Sequence, residues 1–216
     1  MTDRSTEATQ RDEAGAPQAP VRKRHHHGDL RAALIEAAIA HVRENGATTF
    51  SLRDATSGAG VTSGAAYRHF RSRDAVLDEV VVHGFALLSR AMHGAAEPTR
   101  VDAVTTTEGA SADRLIATGL AYIRFAREEP HLFALMFSPE GANGRVRSFE
   151  TDFGVPNASD QLRHALADLG ATDETTYLRA WGLAHGLAAL AAAGIGGSDA
   201  DQAAAVRAFT CTLPAW

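Results

Sequence analysis

Between Asp29 and His93 the chain sets out four helical apolar stripes, separated by stop signals only a few residues long. Leu34, Ile35, Ala38, Ile39 and Val42 recur at the spacing of one helix face, and Asn45-Gly46 ends that stripe. Ser51 reads as the N-cap of a short helix with Leu52 and Ala55 inward, finishing near Gly58 to Gly60. Thr62 reads as the cap of a second short helix running through Tyr67 and Phe70. Ser72 then opens a longer helix, with Asp74 in its first turn and Val76, Leu77, Val80, Val81, Leu87 and Leu88 on one side. One long helix, two short ones about a tight turn and another long helix leave few ways to close a core.

Past Glu97-Pro98 the pattern loosens until Ser111. Residues 112–129 predict a helix carrying Leu115, Ile116, Leu120, Tyr122, Ile123 and Phe125, stopped by Pro130. His131 to Phe137 is a short, strongly apolar run, and 138–155, with Pro, Gly and charges, reads as a loop. Helices are expected at about 157–169, 173–193 and 199–212. No strand pattern and no repeat stands out. The expectation is an all-α chain of about nine helices: a tail over 1–27, a helix-turn-helix unit over 28–75 and a helical body over 76–216.

The tail reads as disordered, being polar and rich in Ala, Pro and charge. It ends in Arg22-Lys23-Arg24-His25-His26-His27, which suits a phosphate-seeking arm, a weak metal grip or a tag remnant. The single cysteine, Cys211, allows no intrachain disulfide and no multi-cysteine metal site, and reads as structural. With no signal-peptide pattern and no membrane-length apolar run, a cytoplasmic location is expected. The net charge is −5, yet residues 22–75 hold nine Arg and Lys against five Asp and Glu, with five His besides. Residues 76–216 hold ten against seventeen. The basic block suits either a polyanion or an ordinary charged surface.

Gly60 to Phe70, GVTSGAAYRHF, is bare of large side chains at its start and aromatic and basic at its end. A helix that enters the DNA major groove needs that distribution. Small residues at Ser63, Gly64 and Ala65 allow close approach, and the helix start offers backbone N–H groups to phosphate. Tyr67, Arg68 and His69 can reach backbone oxygens or bases while Phe70 anchors the helix. The plainer alternative is a capped surface helix of no special role.

Here a resemblance becomes specific. Leu30-Arg31, Leu34, Ala37-Ala38, Gly46, Thr49-Phe50-Ser51-Leu52-Arg53-Asp54, Ala59-Gly60-Val61-Thr62, Gly64, Tyr67-Arg68-His69-Phe70, Ser72-Arg73-Asp74 and Leu77 resemble the DNA-binding half of TetR (tetracycline-repressor-like) transcriptional regulators. The sequence departs from that pattern at Ala55-Thr56, at Arg71, where Pro is frequent, and at Arg73, where Lys is usual. The resemblance implies that Thr62, Ser63, Ala65, Tyr67, Arg68 and His69 lie along a recognition helix, with Ser51 and Arg53 near phosphate. Arg73 would anchor the fourth helix. It implies a dimer on a pseudo-palindromic double-stranded DNA, a small-molecule effector, and no cofactor.

Trp181-Gly182-Leu183-Ala184-His185-Gly186-Leu187 and Pro130-His131-Leu132-Phe133-Ala134-Leu135-Met136-Phe137 are similar to the Trp-x-x-x-His-Gly subgroup of TetR C-terminal domains. Independently, Gly182, Gly186, Ala189 and Ala193 form a stripe of small residues, suited to close helix packing. That packing can be a dimer interface or internal. Candidate pocket residues are Phe85, Met92, Tyr122, Phe125, Phe133, Met136, Phe137, Trp181 and His185; plain core is the alternative for each. Tyr122, Trp181 and His185 stand out because a buried polar tip needs a partner. An apolar effector suits such a set. His185 has no second His or carboxylate three or four positions away, so no metal site is expected there.

Three rivals were weighed against this reading. An enzyme finds no phosphate-cradling Gly-rich loop, His-Glu-x-x-His or nucleophile elbow. A metal-sensing regulator would draw on His25 to His27 with His83, His93 or His131, whose spacing does not demand it. A scaffold would leave the basic recognition helix without a use.

Overall fold

The computed structural model describes residues 27–60, 62–96 and 107–213. The expected tail lies outside the described residues except for His27, as does the loosened stretch 97–106. Among the described residues there are ten α-helices and no strand, one helix more than the pattern suggested. They are α1 (His27–Asn45), α2 (Leu52–Gly58), α3 (Ser63–Ala66), α4 (Arg73–Ala96), α5 (Thr107–Glu128), α6 (Pro130–Phe137), α7 (Ala142–Glu150), α8 (Ala158–Ala167), α9 (Glu174–Ala192) and α10 (Asp199–Thr210).

The first four helices end where their sequence says they should. Gly46 takes φ +77° and its N–H reaches the Val42 carbonyl at 2.9 Å, closing α1. Ser51 caps α2 through a reciprocal box: its hydroxyl accepts the Asp54 N–H at 3.3 Å, and the Asp54 carboxylate accepts the Ser51 N–H at 2.7 Å. Gly60, at φ +67°, turns the chain between α2 and α3. The Ser72 hydroxyl accepts the Ala75 N–H at 3.1 Å at the head of α4.

α3 is shorter than expected. Only Ser63–Ala66 is α-helical, and the chain reaches Phe70 through turns in which Arg68 N–H meets Ala65 O and Phe70 N–H meets Ala66 O. Phe70 and Ala66 are buried and hold this segment against the neighbouring helices.

The 24 residues of α4, about 36 Å of helix, join the reader to the body. Val76, Leu77, Val80, Val81 and Leu88 are fully buried along it, each stabilising by roughly 1.5–3 kcal/mol relative to exposure. One apolar cluster runs from Leu34 and Val42 on α1 through α4 to Leu132 and Met136 on α6. A smaller one, with Leu115, Leu162 and Leu166, lies beneath α8 and α9. Polar links cross the same boundary. Glu79 on α4 pairs with Arg31 of α1 and Arg147 of α7, both at 2.8 Å.

Residues 138–155 are not simply a loop, since they contain α7. Its buried face is made of Gly144 and Ser148, too small to register as an apolar stripe. A Cβ at Gly144 would lie 2.7 Å from the Asp78 carbonyl oxygen, so glycine is what lets α7 sit on α4. α5 starts at Thr107, earlier than expected. Pro130 stands at the first position of α6, where its missing N–H costs nothing.

Candidate functional site

The reader presents the side chains the sequence put forward, with two reassignments. Tyr67 is 62% exposed, Thr62, Arg53 and Arg68 are exposed, and Ala65 and His69 are half-buried. Gly64 is open, and a Cβ there would meet no heavy atom within 4 Å. Ser63 opens α3. Phe70 is buried at 4%, with the Arg31 guanidinium 5.1 Å from its ring centre. Thus one short segment turns an aromatic and a basic side chain outward while its last residue anchors it.

The Ser51 hydroxyl is engaged within the protein, donating to Asp54 Oδ2 at 2.5 Å. These bonds hold the Asp54 carboxyl below its ordinary value. Arg73, expected to anchor α4 and to face DNA, does the first. Its Nε donates to the Phe50 carbonyl at 2.7 Å, its Nη2 to the Ala47 carbonyl at 2.5 Å, and its Nη1 to Glu140. The guanidinium therefore clamps the α1–α2 loop to the head of α4, and its donors are spent inside the molecule.

In the body, α4, α5, α7, α8 and α9 enclose a cavity of about 490 Å³, within the usual range for small-molecule sites. Of the pocket candidates, Phe85, Met92, Tyr122, Phe137, Trp181 and His185 line it. Phe125, Phe133 and Met136 do not: they are buried in the core, and Phe133 backs the wall by stacking 4.9 Å from Phe137 and 5.4 Å from His185. The Tyr122 hydroxyl and His185 Nδ1 share a hydrogen bond at 2.9 Å, so each polar tip supplies the other's partner. Burial raises the Tyr122 phenol and lowers the His185 imidazole, so both sit neutral.

Sequence reasoning missed Ser89, Thr118, Arg145 and Tyr177, all of which line the cavity. Ser89 and Thr118 carried a usable signal, since both are polar residues within the apolar phase of their helices. Arg145 was hidden by the loop reading of its segment.

On α9, Gly182, Gly186, Ala189 and Ala193 are all exposed. A Cβ at Gly182 or Gly186 would meet nothing within 4 Å, so the stripe is not used for packing inside the subunit. Leu178 and Leu190 are exposed on the same helix. Among the described residues, no three His, Cys, Asp or Glu side chains gather as a metal would need. No described helix is long and apolar enough to cross a membrane.

Residues 34–80, holding the reader, match bacterial regulatory proteins of the tetR family, and 115–213, holding most of the cavity and α9, match the tetracyclin repressor-like C-terminal domain. The chain belongs to the TetR family. As a TetR-family transcriptional regulator it is a DNA-binding protein and not an enzyme. The narrower Trp-x-x-x-His-Gly subgroup rests on its motif alone. Among solved structures, TetR-like architecture recurs in a protein of unknown function from Rhodococcus sp. RHA1. It is 28% identical with a TM-score of 0.69, over 89% of this chain and 99% of that one. A TetR-family protein from Vibrio parahaemolyticus (19% identity, TM-score 0.55) matches 86% of this chain and 98% of its own. Salmonella enterica GusR (17%, TM-score 0.55) matches 85% and 94%, and these two likenesses speak to the fold alone. No curated protein matches the chain significantly.

Proposed function

We propose that the chain is a cytoplasmic repressor that binds a pseudo-palindromic operator as a homodimer and releases it when a small, largely apolar effector occupies the α4–α9 cavity. The observation that carries this reading is the double use of α4. Arg73 at its head holds the reader, while Phe85, Leu88, Ser89 and Met92 further along it wall the cavity. A ligand that prefers one position of that wall shifts the population of reader positions, and two readers on a dimer then no longer match both half-sites. The exposed small-residue face of α9 supports the dimer, since two such faces can pack closely. Tyr67, Arg68, His69, Thr62 and Arg53 would hold the DNA, mostly at phosphates.

The test is a screen of apolar small molecules against the protein–operator complex, with Ala184→Trp to fill the cavity. Release by a compound to which the filled variant no longer responds supports the proposal. Equal release from both proteins would move the effector site elsewhere.

A further inference from the structure

The cavity is not uniformly apolar, and its one fixed charge has no countercharge. Among the described residues its lining holds no Asp or Glu, and Arg145 of α7 is the only Arg or Lys in it. Arg147, one turn face away, pairs with Glu79. Arg145 pairs with no carboxylate: its Nη1 donates to the carbonyls of Met136 at 2.7 Å and Ser138 at 3.3 Å. Those two bonds fix the guanidinium and leave Nε and Nη2 without a printed task inside the subunit. The group is half-buried beside Phe137, Phe149 and Phe153. A cation withdrawn from water in apolar surroundings gains most from an anion. A second observation points the same way. Ser89 is fully buried on the α4 wall, and its Oγ has no hydrogen-bond partner. An unsatisfied buried hydroxyl facing a cavity is a polar contact awaiting a ligand.

We infer that the ligand of this cavity is an organic acid, with its carboxylate on Arg145, its apolar body along Phe85, Leu88, Met92 and Leu162, and a polar atom at the Ser89 hydroxyl. The inference rests on the effector reading above and names the chemical class that reading leaves open. A planar guanidinium held by two carbonyls is preorganised for a carboxylate, and charge-assisted bonds of that kind are about twice as strong as neutral ones.

The experiment compares two acids, decanoate and naphthoate, with their neutral amides by titration calorimetry on the full chain, and follows operator binding in parallel. At least one acid should bind roughly tenfold or more tightly than its amide. Arg145→Gln should remove that preference while leaving amide binding unchanged, and Arg145→Lys should restore part of it. Circular dichroism checks the fold, because Arg145 also ties the α6–α7 turn; should the Gln variant unfold, the wild-type preference and the Lys variant decide. Amides binding as tightly as the acids, a preference that survives Arg145→Gln, or no binding of either acid would overturn the inference. Amides that release the operator when acids do not would overturn it and leave the effector reading standing. Acids that bind through Arg145 without changing operator affinity would uphold it and remove the effector reading.

Discussion

Arg43 on α1 and Glu129 at the α5–α6 junction meet end to end, Nε to Oε2 at 2.8 Å and Nη2 to Oε1 at 2.7 Å. His131 adds a bond from its Nδ1 to the Arg43 carbonyl at 2.9 Å. This latch ties the reader's first helix directly to the body, beside the covalent route through α4. Because the two side chains are 42% and 22% exposed, the pair is worth little as stability. Its value lies in transmitting position.

Glu129→Gln should therefore cost under about 1 kcal/mol, lowering the melting temperature by no more than roughly 2–4 °C. The same variant should blunt effector-induced release of DNA. Calorimetric melting and operator titration check the two halves separately, and a large drop in stability would show the latch to be structural.

Tyr67→Ala and Arg68→Ala should each weaken operator binding and leave helicity and melting unchanged, since both side chains are exposed. Phe70→Ala is the contrast: its ring is buried, and its loss should cost about 3–5 kcal/mol. Fluorescence anisotropy with labelled DNA, alongside thermal denaturation, separates contact from core.

How far the sequence carried these assignments depends on the residue. Ser51, Gly46 and Pro130 mark element ends by local chemistry, so their caps and stops were legible without tertiary information. α7 was not, because its buried face is Gly144 and Ser148 and close approach to α4 leaves no hydrophobic signature. The cavity divided along the same line. Tyr122, Trp181 and His185 announced themselves as polar tips on apolar faces, whereas Arg145 mattered only once α7 was folded onto α4. Phe125, Phe133 and Met136 share the helical phase of the lining residues, and only three-dimensional packing assigns them to the core behind it.

Gly186→Arg should give a monomer that keeps its fold. A side chain at 186 meets no atom of its own subunit within contact range, so any disruption must come from a second copy. Light scattering after size exclusion reports the mass, and a dimer that persists would exclude this face of α9 as the interface.

Burial lowers the pKa of both His185 and His83 from the ordinary histidine value of 6.5. At pH above that value both are neutral in either state. As pH falls through it, the unfolded chain takes up protons that the folded chain refuses, so stability declines. Urea midpoints measured from about pH 7.5 down to about pH 5.5 should fall, and His185→Phe should reduce the slope. A midpoint flat across that window would show that neither ring is held neutral.

The most direct measurement for the account as a whole is binding of the purified chain to DNA from its own upstream region across a salt series. The account predicts tight, sequence-dependent binding with two protomers per site, and a logarithm of affinity that falls linearly with the logarithm of salt concentration. Weak binding indifferent to sequence, or a single protomer per site, would contradict it.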